Sequence, residues 1–423
     1  MERRYWRATL LATSSALAMI VATGQSAEAQ CALNNNAGGS NNAGAINCIS
    51  YNNGVNNTGD IVNQGAGTIT PTHTYAPTLP GTATGISVVG LGTTLTGNIT
   101  NSGTITNTLG NWGINIGSGA YSGGNISSNG ASLNGSITNI GTITAHTGIQ
   151  IQRSTMSGSI VNSTNAHINS TGNVGISAAH ASIGGGITNN GTISGGLSVS
   201  ESTVAGTVSN GGTISAPTAF AALTVVNGGF IGGSVINSGS ITAKDDAIEV
   251  FPNPNGSGAI LNQTITGSII NTSTGTLSAL VGIALTATSN TSRNVIGGNI
   301  INNGTITAGS TGIGVYSSTV TGSISNTGTI SGATGGIVLV NYTGGNAGQA
   351  SVGGSIVNSN AITGTAAGFA GIMLAGGSVS QNVTNALGGT ITANGGVGIL
   401  LTNAISFSAH AGPSTVGGSI INP

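Results

Sequence analysis

From Gly297 to Gly332 the chain reads GGNIINNGTITAGSTGIGVYSSTVTGSISNTGTISG, and its apolar and polar positions return every 24 residues: Ile300 as Ile324, Asn302 as Asn326, Ile306 as Ile330. Within one unit, three short runs set an apolar residue at alternate positions: Ile300 before Asn302, Ile306 between Thr305 and Thr307, and Ile313 with Val315. Such alternation turns Ile and Val to one face of a strand and Thr, Ser or Gly to the other. A single unit has too few aliphatic side chains to bury that face, whereas stacked units bury a continuous one. The pattern predicts an all-β solenoid, a right-handed single-stranded parallel β-helix of about 13 coils of 21–38 residues. Each coil is expected to supply three strands, with equivalent residues ~4.8 Å apart along the stack.

Three columns carry the register. The first strand supplies Ile61, Ile99, Ile137, Ile160, Ile187, Val208, Val235, Ile269, Ile300, Ile324, Ile356, Val383 and Ile420. Two residues later stand Asn63, Asn101, Asn139, Asn162, Asn189, Asn210, Asn237, Asn271, Asn302, Asn326, Asn358, Asn385 and Asn422. A carboxamide at that place can accept from the coil below and donate to the coil above, and Asn tolerates a left-handed corner, so the column is read as a structural ladder. The second column, from Ile69 and Ile105 to Ile362 and Ile391, is usually set in Gly-Thr-Ile-Thr. The third holds pairs such as Ile149 with Ile151, Ile283 with Leu285, Ile337 with Leu339 and Ile399 with Leu401. Burying one such side chain contributes roughly 1.5–3 kcal/mol, so the stack stabilises a rod that has almost no charge.

Composition narrows the function classes. With 75 Gly in 423 residues, 3% charged and 3% aromatic, the chain differs from an ordinary globular enzyme and from a charged disordered tail. A net charge of -1 gives no electrostatic footprint for nucleic acid.

Arg3, Arg4 and Arg7, the apolar run Ala8 to Val21 and the small-x-small step Ala27-Glu28-Ala29 make residues 1–29 a secretory signal with cleavage before Gln30. Export places Cys31 and Cys48 in an oxidising compartment, where they are expected to form a disulfide worth about 3 kcal/mol. Residues 30–58 read as an N-terminal cap, since the Asn-rich stretch Asn34 to Asn57 lacks the repeat, and residues 59–423 as the repeat domain, ending within a coil. The longest insertions, Pro71 to Thr84, Gly117 to Leu133, Phe251 to Thr264 and Asn341 to Val352, are the expected recognition loops.

Chemistry-bearing residues are few. Lys244-Asp245-Asp246-Ala247-Ile248-Glu249-Val250 is the one charge cluster. Its Asp245-Asp246 pair resembles the acid pair of polygalacturonase-like glycoside hydrolases, but no carboxylate, His or basic residue accompanies it on neighbouring coils. A solvated acidic loop at Asp245, Asp246 and Glu249 is the simpler reading. Outside it the mature chain holds only Asp60, Glu201, Arg153 and Arg293 as charges, with His73, His146, His167, His180 and His410 scattered. No metal cluster, calcium repeat or Ser-His-Asp set can be assembled, so neither catalysis nor a cofactor is expected. Asn253-Pro254-Asn255-Gly256 reads as a turn. Outward pairs such as Thr104 with Thr106, Thr142 with Thr144 and Thr305 with Thr307 would stack into two rows, similar to the Thr-x-Thr face of ice-binding solenoids.

Taken together, the signal, the two N-terminal cysteines and the Gly-Ser-Ile-x-Asn-x-Gly-Thr-Ile-Thr plus Gly-Ile units resemble the passenger region of bacterial autotransporters, over essentially the whole chain. The resemblance implies a pectin-lyase-like β-helix carried to the cell surface or outside it by a C-terminal outer-membrane barrel, commonly an adhesin or other virulence factor. No barrel strands follow Ile420-Ile421-Asn422-Pro423, which makes a fragment of a passenger the expectation, with an open last coil prone to end-to-end self-association. The expected function is adhesion to a cell-surface or matrix ligand. Polysaccharide processing through Asp245 and Asp246, and binding of ice or another flat surface, are the alternatives.

Overall fold

In a computed structural model the described residues are 32–33, 40–51, 56–71, 84–109, 111–117, 130–252, 262–287, 293–341, 349–366, 369–403 and 413–423. The signal segment, Cys31, Asn253-Pro254-Asn255-Gly256 and most of the four long insertions lie outside them. The described chain is a parallel β-helix. All named strand pairings are parallel, and they build three long sheets of 22, 14 and 13 strands.

The 14-stranded sheet is made of the Ile-x-Asn runs, paired residue for residue. Ile99 faces Ile61 and Ile137, and Asn101 faces Asn63 and Asn139, with the same register carried on to Ile324 facing Ile356 and Val383 facing Ile420. Because equivalent residues sit over one another, the aliphatic column turns inward without a break, and Ile61, Ile99, Ile137, Ile160, Ile187, Ile269, Ile300 and Ile324 are fully buried. The adjoining amides form a continuous ladder. Nδ2 of each Asn donates to Oδ1 of the next coil's Asn, as in Asn101 to Asn139 at 2.8 Å, Asn189 to Asn210 at 2.7 Å and Asn302 to Asn326 at 2.8 Å, through to Asn385 and Asn422. Its second proton goes to a backbone carbonyl beyond the corner, for Asn302 that of Gly304 at 3.2 Å. Amides buried in this way must be paired, since an orphaned one costs about 1–3 kcal/mol.

Three features differ from the sequence reading. The solenoid begins earlier: Ser40–Asn42, Ala45–Ile46, Ile49–Tyr51 and Asn56–Thr58 pair with the strands of the following coil, and Asn42 donates to Asn63. Only Ile46, Ile49 and Tyr51 supply large apolar side chains there, too few to show a period.

Each coil also has a fourth run. The second and third columns belong to one 22-stranded sheet and fuse in places into a single bent strand, as in Thr142–Gln152 and Thr305–Tyr316. The 13-stranded sheet comes from short runs such as Thr155–Met156, Ser182–Ile183, Thr203–Val204 and Thr319–Val320, whose Met156, Ile183, Val204 and Val320 complete the core. Two residues are too short to display alternation.

Finally, no ladder asparagine has a positive φ. Most left-handed non-glycine residues stand before the 13-stranded sheet, where Arg153, His180, Glu201, Asn227 and Ser317 have φ of 51°, 51°, 50°, 54° and 49°, while at the ladder corner it is Asn165, three residues after Asn162, that turns left-handed at 64°.

The recurrent glycines have steric causes. A Cβ on Gly328 would fall on the carbonyl oxygen of Gly304, as one on Gly141 would on Gly103 O and one on Gly239 on Gly212 O. The Gly of Gly-Thr-Ile-Thr is therefore the point where one coil lies against the last. In the Gly-Ile step, a Cβ on Gly148 or Gly312 would strike Cγ2 of Ile168 or Ile330.

Candidate functional site

The acidic cluster lies at the bend between the two columns of the 22-stranded sheet. Asp246 opens the strand Asp246–Phe251 and does not belong to a loop. Ala247 and Ile248 are both buried, which breaks the alternation and brings Asp246 and Glu249 to the outer side together. Burial, then the Asp245 charge, raises Asp246 to about 6; burial, then the charges of Asp246 and Asp245, raises Glu249 to about 7. Hydrogen bonding between the two carboxyl groups lowers Asp246 and raises Glu249.

Asp245 stands apart from this pair. Its carboxylate lies 4.0 Å from Lys244 Nζ, and Lys244 also sits 5.6 Å from the ring centroid of Phe220. That ring is 78% exposed and walls a concavity of about 210 Å³ with Val174, Leu197, Thr218 and Thr224. In register, Asp246 stands between Ala221 and Val281, and Glu249 between Thr224 and Ala284. The coils on either side thus add no acid, base or cation to the pair.

The outward threonines do stack. Thr104 faces Thr142 and Thr106 faces Thr144, but His167 and Asn169 follow in the next coil. Farther on, Ser240, Thr276, Thr305 and Thr329 run in line until Ala361. The rows are thus segments rather than one array. Among the described residues no three His, Cys, Asp or Glu side chains converge as a metal site. Cys48 is disulfide-bonded; Cys31, its expected partner, lies outside the described residues.

A second arrangement was not anticipated from sequence. Arg153, His180 and Glu201 occupy the left-handed corner in three successive coils and line a groove of about 650 Å³ along the 13-stranded sheet. His180 Nδ1 lies 3.0 Å from Glu201 Oε2. This contact orients the imidazole and leaves Nε2 as its other polar atom. Arg153 Nη1 is shielded from water and meets no acceptor among the described residues. Beside this line runs a second one, in which Ser132 faces Thr155, Thr155 faces Ser182, Ser182 faces Thr203, and Thr203 faces Phe230. The sequence held a signal for it. His180 follows Arg153 by 27 residues and Glu201 follows His180 by 21, the same spacings as Asn162 to Asn189 and Asn189 to Asn210.

The chain matches no protein-family model, no curated protein and no solved structure.

Proposed function

We propose that this protein is an exported β-helical rod of the autotransporter-passenger type, displayed at the cell surface or released, that acts by binding a cell-surface or matrix ligand and not by turnover. The observation that carries this reading is the unbroken asparagine ladder, running coil to coil from Asn42 to Asn422. Its fourteen strands, ~4.8 Å apart, make a stalk about 60 Å long with a nearly uncharged surface. A stalk of this kind presents side chains along its length at fixed spacing, which suits attachment. The reading also agrees with export of an unfolded chain, since each coil pairs only with its neighbours and folding can proceed from one end. Residues 1–29 serve as the export signal, and an outer-membrane barrel would be the anchoring partner in a complete protein of this type.

One feature favours an enzyme instead: the carboxyl pair Asp246 and Glu249, raised to about 6 and about 7. Both readings are tested together by displaying the chain on a host bacterium and assaying attachment to cells and matrix alongside release of reducing ends from polysaccharides. Attachment is expected to depend on the displayed rod and to survive Asp246→Asn with Glu249→Gln. Sugar release that disappears in that double variant would replace the binding role with a catalytic one.

A further inference from the structure

The groove along the 13-stranded sheet combines four features. Its corner residues are Arg, His and Glu in left-handed conformations, at φ of 51°, 51° and 50°, where the same corner elsewhere carries Asn227 or Ser317. The left-handed turn belongs to the corner of the coil, and what sets this stretch apart is that three successive corners carry long polar side chains. A guanidinium nitrogen, Arg153 Nη1, is shielded from water without an acceptor among the described residues. The imidazole of His180 is held in place by Glu201 at 3.0 Å. A line of hydroxyls, Ser132, Thr155, Ser182 and Thr203, ends at Phe230, whose ring stands on the outer face of its strand and is 37% exposed.

We infer that this groove binds a saccharide chain bearing carboxylates, laid along the axis of the solenoid. Successive strand positions in the row are ~4.8 Å apart, close to the length of one pyranose residue, so the row meets three or four sugar units, the first of them at Ser132 Oγ and Thr155 Oγ1, which share a hydrogen bond at 3.0 Å. Arg153, which lines the groove, takes the carboxylate by a charge-assisted bond from the part of its guanidinium that borders it. His180, with Nδ1 occupied by Glu201, offers Nε2 to a ring hydroxyl. Phe230 takes the apolar face of the terminal sugar. The inference deepens the binding role proposed above by naming a ligand class, and it is tested on purified protein, independently of display.

The test uses a hyaluronan hexasaccharide, which carries a carboxylate on every second sugar, and chitohexaose, a neutral chain of comparable length, by titration calorimetry on the exported chain. The uronate-bearing chain is expected to bind more tightly by about tenfold or more. Arg153→Gly is expected to abolish that preference while leaving the denaturation midpoint unchanged or higher, because Gly relieves the left-handed corner. Phe230→Ala should weaken both ligands, and Phe220→Ala, in the bend before the strand Ala221–Val226 of the 22-stranded sheet, neither. Absence of hyaluronan binding, equal affinity for the two chains, or an Arg153→Gly protein that retains the preference would each overturn the assignment. Attachment that persists when hyaluronan binding fails would leave the surface-rod reading standing without this ligand.

Discussion

Glu249 keeps its proton to about pH 7 because it is largely withdrawn from water beside the charges of Asp246 and Asp245. Asp246 is raised to about 6 for the same reasons. Both groups therefore bind protons more tightly in the folded chain than in the unfolded one, where they titrate near 3.8 and 4.5. Between about pH 4 and 7 the folded state holds more protons, so stability falls as pH rises through that window and is fully reduced above it. Glu249→Gln keeps a donor toward Asp246 and removes the second charge. Denaturant midpoints at pH 5 and pH 8 should differ less in this variant than in the parent, with a gain of about 1–2 kcal/mol at pH 8. A parent protein equally stable at both values, or a variant with the parent's pH slope, would show that folding does not raise these two carboxyl groups. None of this pairing could be read from the run Asp245-Asp246-Ala247-Ile248-Glu249. Strict alternation puts Asp246 and Glu249 on opposite faces, and the bend at Ala247 and Ile248 brings them to one.

Strands and corners were unequally legible. Columns built on Ile at constant offsets from Asn and Gly were plain, because three or more alternating positions in each run repeat with the coil. The 13-stranded sheet was hidden since runs such as Ser182–Ile183 and Thr203–Val204 contribute one inward side chain each. Corner glycines were legible as punctuation, and for the Gly of Gly-Thr-Ile-Thr the reason is contact, whereas Gly90, Gly228 and Gly376 turn left-handed at φ of 100°, 81° and 72°. Gly328 has no room for a Cβ against Gly304 O, whereas Gly65 has open space around the same position. Gly328→Ala should lower stability by about 1–3 kcal/mol through overpacking, while Gly65→Ala should stay within about 0.5 kcal/mol of the parent. Chemical denaturation followed by far-UV circular dichroism distinguishes them; equal midpoints would remove the close-approach explanation for the Gly-Thr-Ile-Thr motif.

Across the whole molecule, stability is a sum over coils and their interfaces, as in other solenoids. Excising residues 303–326 removes one complete 24-residue coil and brings Thr327-Gly328-Thr329 to the place of Asn303-Gly304-Thr305, so that Asn302 meets the Asn358 rung next. Circular dichroism should remain that of a β protein, with a cooperative transition close to the parent's. Excising residues 303–314 instead cuts half a coil and puts the inward columns out of step, and that protein should lose both the spectrum and the transition. Similar behaviour of the two deletions would contradict a stack held by equivalent neighbours.

The period, the inward columns and the spacing between carboxamides were determined by the residues themselves, because each unit repeats its own local preferences and the only way to bury them is to stack. Which outward side chains become neighbours was decided by the winding. Coil lengths vary from 21 to 38 residues; Arg153, His180 and Glu201 keep the spacing of the Asn ladder, but that their corner is left-handed and walls a groove follows from the winding. Contacts between coils depend on where the backbone turns, and single corners and bends, such as those at Arg153 and at Ala247 and Ile248, are fixed by packing against the coil beneath.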